Sequence, residues 1–181
     1  MSLAPRIEGR IAIRSSAAQF KEALCRRVEA GLLSGRPHPR SNYRVAHAGP
    51  EDLRIRAQGW WTAVNVGLND VEVHLSRPGF VDFRVRYWRW SAFVIGLGSL
   101  LGIAGLVLLL AFDMRGYIAR EPGARLPGLS IDQNLGILWG MVVFWGFVWP
   151  WVLIVLHKGP LRRLVKRLVA EVDADQEGPN C

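Results

Sequence analysis

Residues 91–112 read SAFVIGLGSLLGIAGLVLLLAF, and residues 135–156 read LGILWGMVVFWGFVWPWVLIVL. Neither stretch holds a charged residue, and each has 22 residues. A helix of that length is about 33 Å long at about 1.5 Å per residue, which matches a hydrocarbon core of about 30 Å. The two stretches therefore read as transmembrane helices, 91–112 and 135–156. The rest of the chain is too small to bury two all-apolar helices inside a soluble core. The composition, 50% hydrophobic and 21% charged with a net charge of +8, hides this segregation.

The flanks carry the signals of membrane boundaries. Trp88 and Trp90 precede the first run, and Trp149 and Trp151 lie near the end of the second. If the runs cross in opposite directions, these four form an aromatic belt at one interface. Trp139 and Tyr117 fall toward the other interface. Trp145 lies near the middle of its run and is expected to face protein. Pro150 sits near a helix end, where a small kink is tolerated.

Positive charge sets the orientation. Arg84, Arg86 and Arg89 come before the first run, and Lys158, Arg162, Arg163, Lys166 and Arg167 follow the second. The connecting residues 113–134 hold Arg115, Arg120 and Arg125, balanced by Asp113, Glu121 and Asp132. The expectation is a hairpin with both termini in the cytoplasm and a short extracytoplasmic loop at 113–134. Pro122, Gly123, Pro127 and Gly128 make that loop a series of turns. Residues 1–14 carry three arginines and no apolar run of signal-peptide length, so the first span is expected to serve as the targeting signal. The pattern fits a bacterial inner membrane.

Gly98, Gly102 and Gly105 recur at helical spacing in the first run, and Gly136 and Gly140 in the second. Such spacing permits close helix approach, within the hairpin or between protomers. Neither run holds an ionisable residue, which argues against a pump or carrier.

Residues 1–90 read as an α+β domain in the cytoplasm. Ile7, Ile11 and Ile13 alternate as in a strand. Ser16 and Gln19 fit a capping box, after which Phe20, Leu24, Val28 and Leu32 line one face of a helix. Gly35 is expected to close that helix, with Pro37 and Pro39 in a linker. Strand-like runs follow at 43–48, 53–57, 60–66, 71–75 and 80–88. A loop at Arg77-Pro78-Gly79 sets Leu75 opposite Val81, Val73 opposite Phe83 and Val71 opposite Val85. The same register sets His74 opposite Asp82, Glu72 opposite Arg84 and Asp70 opposite Arg86. One face becomes apolar and the other charge-matched, two independent constraints on one register. A second hairpin, turning at Gly67-Leu68-Asn69-Asp70, would pair Val66, Val64 and Thr62 with Val71, Val73 and Leu75. The expected fold is one helix on a mostly antiparallel sheet.

The other sheet face reads as basic, through Arg10, Arg14, Arg44, Arg54, Arg56, Arg84 and Arg86. Residues 1–90 hold fifteen Lys plus Arg against eight Asp plus Glu, a net of +7. A solvated face, anionic lipid headgroups and an acidic protein partner all fit that surplus. Nucleic acid fits least, because no recognition motif for it is present.

After Gly159 and Pro160, residues Leu161, Leu164, Val165, Leu168, Val169 and Val172 form one helical stripe. Arg162, Arg163, Lys166 and Arg167 occupy the other face. Residues 157–181 are expected to form a basic amphipathic helix in the membrane interface, with a disordered tail from Asp175. The alternative is that the stripe packs on the N-terminal domain.

No catalytic, cofactor-binding or metal motif emerges. Glu72 and His74 share a strand face, but charge pairing accounts for both. Cys25 reads as a buried thiol and Cys181 as an incidental tail residue, and their spacing excludes a disulfide framework. The layout points to no one family. The sequence reading is a membrane-anchored, non-enzymatic binding or scaffold protein. Its contact residues would be Arg84, Arg86, Arg89, Lys158, Arg162, Arg163, Lys166 and Arg167, toward anionic lipid, a protein partner or a second copy. The alternatives are a membrane enzyme acting on a lipid or lipid-linked substrate, which would use Asp82, His74 and the arginines, and a subunit of an oligomeric channel.

Overall fold

A computed structural model describes residues 4–32 and 43–175. The expected linker at Gly35, Pro37 and Pro39, Cys181, and the tail beyond Asp175 lie outside the described residues. The chain divides into two compact units: residues 1–91 together with 156–181, and residues 92–155.

The first unit is built on a five-stranded antiparallel sheet. Its strands are β1 (Arg6–Ala12), β2 (Tyr43–Ala48), β3 (Asp52–Ala57), β4 (Asp70–Arg77) and β5 (Phe80–Arg86), in the order β1-β5-β4-β3-β2. Helix α1 (Ala17–Gly31) opens at the expected capping box, with the Ser16 hydroxyl accepting from the Gln19 amide. Phe20, Leu24, Val28 and Leu32 are all buried. They meet the apolar sheet face made by Leu53, Ile55, Val71, Val73, Val81, Phe83 and Val85.

The β4–β5 register pairs Asp70 with Arg86, Val71 with Val85, Glu72 with Arg84, Val73 with Phe83 and His74 with Asp82, as the charge argument requires. Beyond His74 the register shifts, so the pairing continues as Arg77 with Phe80. Gly79, at φ +74°, supplies the left-handed residue of this turn.

Residues 60–66 correct the sequence reading. They form helix α2 (Trp60–Val66), not a strand. Gly67 at φ +78° closes α2, and its N–H bonds to the Ala63 carbonyl at 2.9 Å. The partner expected of Val66, Val64 and Thr62 is instead β3, which sets Leu53 opposite Val73 and Ile55 opposite Val71. Alternating apolar residues can also bury one side of a two-turn helix, and Ala63 and Val64 do so here.

From Tyr87 the chain enters α3 (Trp88–Ala111). The connecting residues are not only turns, because they include α4 (Met114–Arg120) and a 3-10 turn at Pro122–Ala124. Asp113 caps α4, Arg115 pairs with Asp132 at 3.0 Å, and the Arg125 Nε donates to the Ile118 carbonyl at 2.7 Å. Helix α5 (Ile131–Val143) starts at a second capping box, Ser130 with Gln133. A π-helical turn (Phe144–Val148) joins it to α6 (Trp149–Ala174).

Two helical stretches, Trp88–Ala111 and the continuous 44-residue stretch Ile131–Ala174, are long and apolar enough to cross a membrane. Only 11% and 17% of their most apolar windows are buried, whereas a core helix of a soluble protein would be mostly buried. In the second unit the glycines of α3 meet the other stretch. A Cβ built on Gly98 would lie 2.3 Å from the Pro150 Cγ, one on Gly102 2.9 Å from the Gly146 Cα, and one on Gly105 2.9 Å from a Val142 methyl. Along α3 the partners step back from Pro150 to Val142. Gly136 and Gly140 face open space.

The segment after Gly159 is not a separate helix. Pro160 lies inside α6, and the residues from Leu156 onward belong to the first unit. Leu161, Val165, Leu168, Val169 and Val172 are buried there, so a membrane interface cannot take up this stripe. That burial is what the alternative reading, packing of the stripe on the N-terminal domain, requires. Asp173 ties the end of α6 to the start of α1, accepting from the Arg14 amide at 2.9 Å, the Ser15 amide at 3.0 Å and the Ser15 hydroxyl at 2.6 Å. Arg27 and Glu171 add an ion pair at 3.0 Å.

Candidate membrane-contact surface

The polar face of the sheet becomes legible only when all four registers are read together. The first row across the strands is Arg6, Arg86, Asp70, Arg56 and Arg44. It holds four arginines and one aspartate, and it lies at the end of β5 from which the chain enters α3. The second row is Glu8, Arg84, Glu72 and Arg54, with His47 across a bulge in β2. Its two arginines balance two glutamates. The third row is Arg10, Asp82, His74 and Asp52, one arginine against two aspartates. The face is therefore not uniformly basic, as the alternation in single strands implied. It is graded along the strand direction.

Ion pairs knit the rows together. Arg56 meets Asp70 at 2.9 Å, and Arg84 meets Glu8 at 2.9 Å. Glu72 lies within 3.5–3.8 Å of Arg86, Arg54 and Arg84. Arg10 grips Asp82 with two bonds, at 2.6 and 3.1 Å. The hydrogen bond and charge of Arg10 hold the Asp82 carboxyl below the usual carboxylate range. His74 meets Asp52 at 2.5 Å. The residues an enzyme would need, Asp82 and His74, are thus each engaged in surface pairs. Among the described residues no group of three or more His, Cys, Asp or Glu could hold a metal ion.

The remaining cations expected to make contact lie on two other elements. Arg162, Arg163, Lys166 and Arg167 are exposed on α6. Arg162 donates to the Glu8 carbonyl at 3.3 Å, and Arg167 pairs with Glu171 at 2.8 Å. Lys158 and Arg162 line a shallow cleft with Arg6. Arg89 has its guanidinium carbon 5.9 Å from the Trp60 ring and 5.5 Å from that of Trp88.

An aromatic cluster lies where α6 leaves its charge-free run. His157 stacks on Trp90 with centroids 4.0 Å apart and planes at 12°, and meets Tyr87 edge-on at 5.5 Å. The His157 Nε2 is buried without a hydrogen-bond partner, and burial pushes its pKa below the ordinary 6.5. Burial also pushes the Tyr87 hydroxyl up to about 12. The sequence pattern does not reveal this cluster, because it gives Trp90 a place only in the aromatic belt and His157 no partner.

In the second unit Trp145 is 51% exposed, contrary to the expectation that it faces protein. It packs edge-on against Trp149 at 4.9 Å and Phe144 at 5.4 Å, beside an open apolar groove that Leu101, Met141 and Leu153 help to line. Gly146, not singled out by its spacing, meets the α3 backbone, with a Cβ there 2.4 Å from the Gly102 Cα.

Comparison with known proteins finds no matching family, no similar curated protein and no similar solved structure.

Proposed function

We propose that the chain is a membrane-anchored, non-enzymatic binding protein whose cytoplasmic α+β domain contacts an anionic lipid surface. In this reading α3 and the α5–α6 stretch form a transmembrane hairpin with both chain ends in the cytoplasm. The stepping of the glycine contacts from Pro150 to Val142 is what an antiparallel pair would make. The observation that carries the lipid assignment is the graded face. Its arginine-rich row stands at the end of the sheet joined to α3, and in the next two rows carboxylates match or outnumber the arginines. A basic residue near an anionic bilayer contributes about 1 kcal/mol, and the attraction decays within a Debye length, so only the near row contributes fully.

The test uses the full-length chain in nanodiscs of mixed phosphatidylcholine and phosphatidylglycerol. Native mass spectrometry of the released protein should show phosphatidylglycerol retained above its bulk share. The double variant Arg6→Glu, Arg44→Glu should lose that enrichment, as should high salt. Equal retention by both proteins would overturn the lipid reading. A stoichiometric protein co-purifying from native membranes, without lipid enrichment, would transfer the function to a protein partner.

A further inference from the structure

Helix α2 presents its two largest side chains outward. Trp60 is 44% and Trp61 66% exposed, while Ala63 and Val64 hold the helix to the domain. An indole carries a large apolar area, so two adjacent exposed tryptophans on a short helix form an apolar patch that a further surface would cover. Their position says which. The Trp60 ring meets the Trp88 ring edge-on, with centroids 5.9 Å apart and planes at 76°. Trp88 is the first residue of α3 and stands three residues before the charge-free run begins at Ser91. At about 1.5 Å per residue that is about 4.5 Å of helix, so a spanning α3 carries Trp88 into the headgroup layer. Trp60, in ring contact with it, reaches the same layer. Arg89 has its guanidinium carbon 5.9 Å from the Trp60 ring and 5.5 Å from the Trp88 ring, which places a cation beside both indoles.

We propose that α2 is an interfacial anchor: Trp60 and Trp61 insert into the headgroup layer of the leaflet that α3 enters, with Arg89 holding a lipid phosphate beside them. The indole faces meet the acyl boundary, their N–H groups meet the headgroups, and the cation neutralises the phosphate. The anchor adds to the two covalent connections, one from Tyr87 into α3 and one along α6. It rests on the membrane reading above, and the experiment separates the two.

Asn65 is exposed and lies one helical turn from Trp61, on the same face. The variant Asn65→Cys, in a background of Cys25→Ser and Cys181→Ser, accepts an environment-sensitive fluorophore while leaving both indoles in place. Leu100→Cys, near the middle of the apolar run and exposed, and Ser76→Cys, at the far end of β4, carry the same label. The full-length proteins go into nanodiscs containing lipids spin-labelled either near the headgroup or deep in the chain. The shallow quencher should remove most of the emission at position 65, and the deep quencher most of that at 100. Neither should affect position 76. Adding Trp60→Ser and Trp61→Ser should return position 65 to the unquenched level of position 76. If position 65 is unquenched while 100 responds to the deep label, the anchor is wrong and the spanning helix stands. If 100 also fails to respond, the membrane reading falls and takes the anchor with it. Quenching at 65 that survives loss of both indoles would overturn their role.

Discussion

His157 shows how one side chain can set a pH response. It is the first residue after the charge-free run of α6, and it is clamped between Trp90 and Tyr87. A Cβ on Gly67 would come 2.3 Å from its Nε2, so the backbone closes over the ring as well. The imidazole is neutral in this setting, because burial disfavours the cation. The sign of the linkage follows. Above the ordinary pKa of 6.5 the folded and unfolded chains are both neutral there, and the full stability is present. As pH falls below that value the unfolded chain takes up the proton first, and stability drops until the folded-state pKa is passed. The thermal midpoint of the detergent-solubilised protein, followed by circular dichroism, should therefore fall on going from neutral to mildly acidic buffer. His157→Phe keeps an aromatic stack on Trp90 and should remove this component of the fall. A wild-type midpoint flat across that range would show that the ring is not buried as described.

Elements were legible where two constraints coincide and obscure where one pattern has two readings. The β4–β5 register followed from apolar alternation together with matched charges, and the structure reproduces it up to the bulge after His74. Trp60–Val66 had only alternation to go on, and Gly59 and Gly67 turned it into a capped helix. The stripe of α6 was legible, but not what covers it, because a bilayer and a protein core select the same residues. The charge gradient needed the long-range pairing of β1 with β5, which no local pattern encodes. Glycine spacing was similarly incomplete. Gly98, Gly102 and Gly105 meet the second stretch, whereas Gly136 and Gly140 meet nothing. Gly146 meets backbone rather than a side chain, since its Cβ would lie 2.4 Å from the Gly102 Cα. Gly146→Val should force the helices apart at a cost of about 1–3 kcal/mol, as overpacked cores do. Gly140→Val should leave the thermal midpoint in nanodiscs unchanged. If Gly140→Val instead shifts the assembly's mass in native spectrometry, that open face is where protomers meet.

At the level of the whole molecule, the residues before Ser91 and those after Leu156 share one compact unit. In the proposed hairpin the chain crosses the membrane twice and returns its C-terminal helix to the side it left, which agrees with Asp173 reaching Ser15 and Glu171 reaching Arg27. In the proposed reading, the surplus of positive charge on both flanks makes that side the cytoplasm. Cys25 reports on it. The thiol is half-buried rather than fully buried as its sequence position suggested. Burial raises its pKa, Lys21 opposes the rise and Glu29 adds to it, so labelling is faster in alkaline buffer. With Cys181→Ser in place, a membrane-impermeant maleimide should label Cys25 in inside-out vesicles and leave it unmodified in right-side-out ones. Gly123→Cys, in the exposed stretch between the two apolar runs and without either native thiol, should give the opposite pattern. Labelling of both positions from the same face would mean that α3 does not cross the bilayer. A full reversal would keep both crossings and invert the orientation, which would put the arginine row of the sheet on the extracytoplasmic side. The lipid contact would then have to be sought on that leaflet.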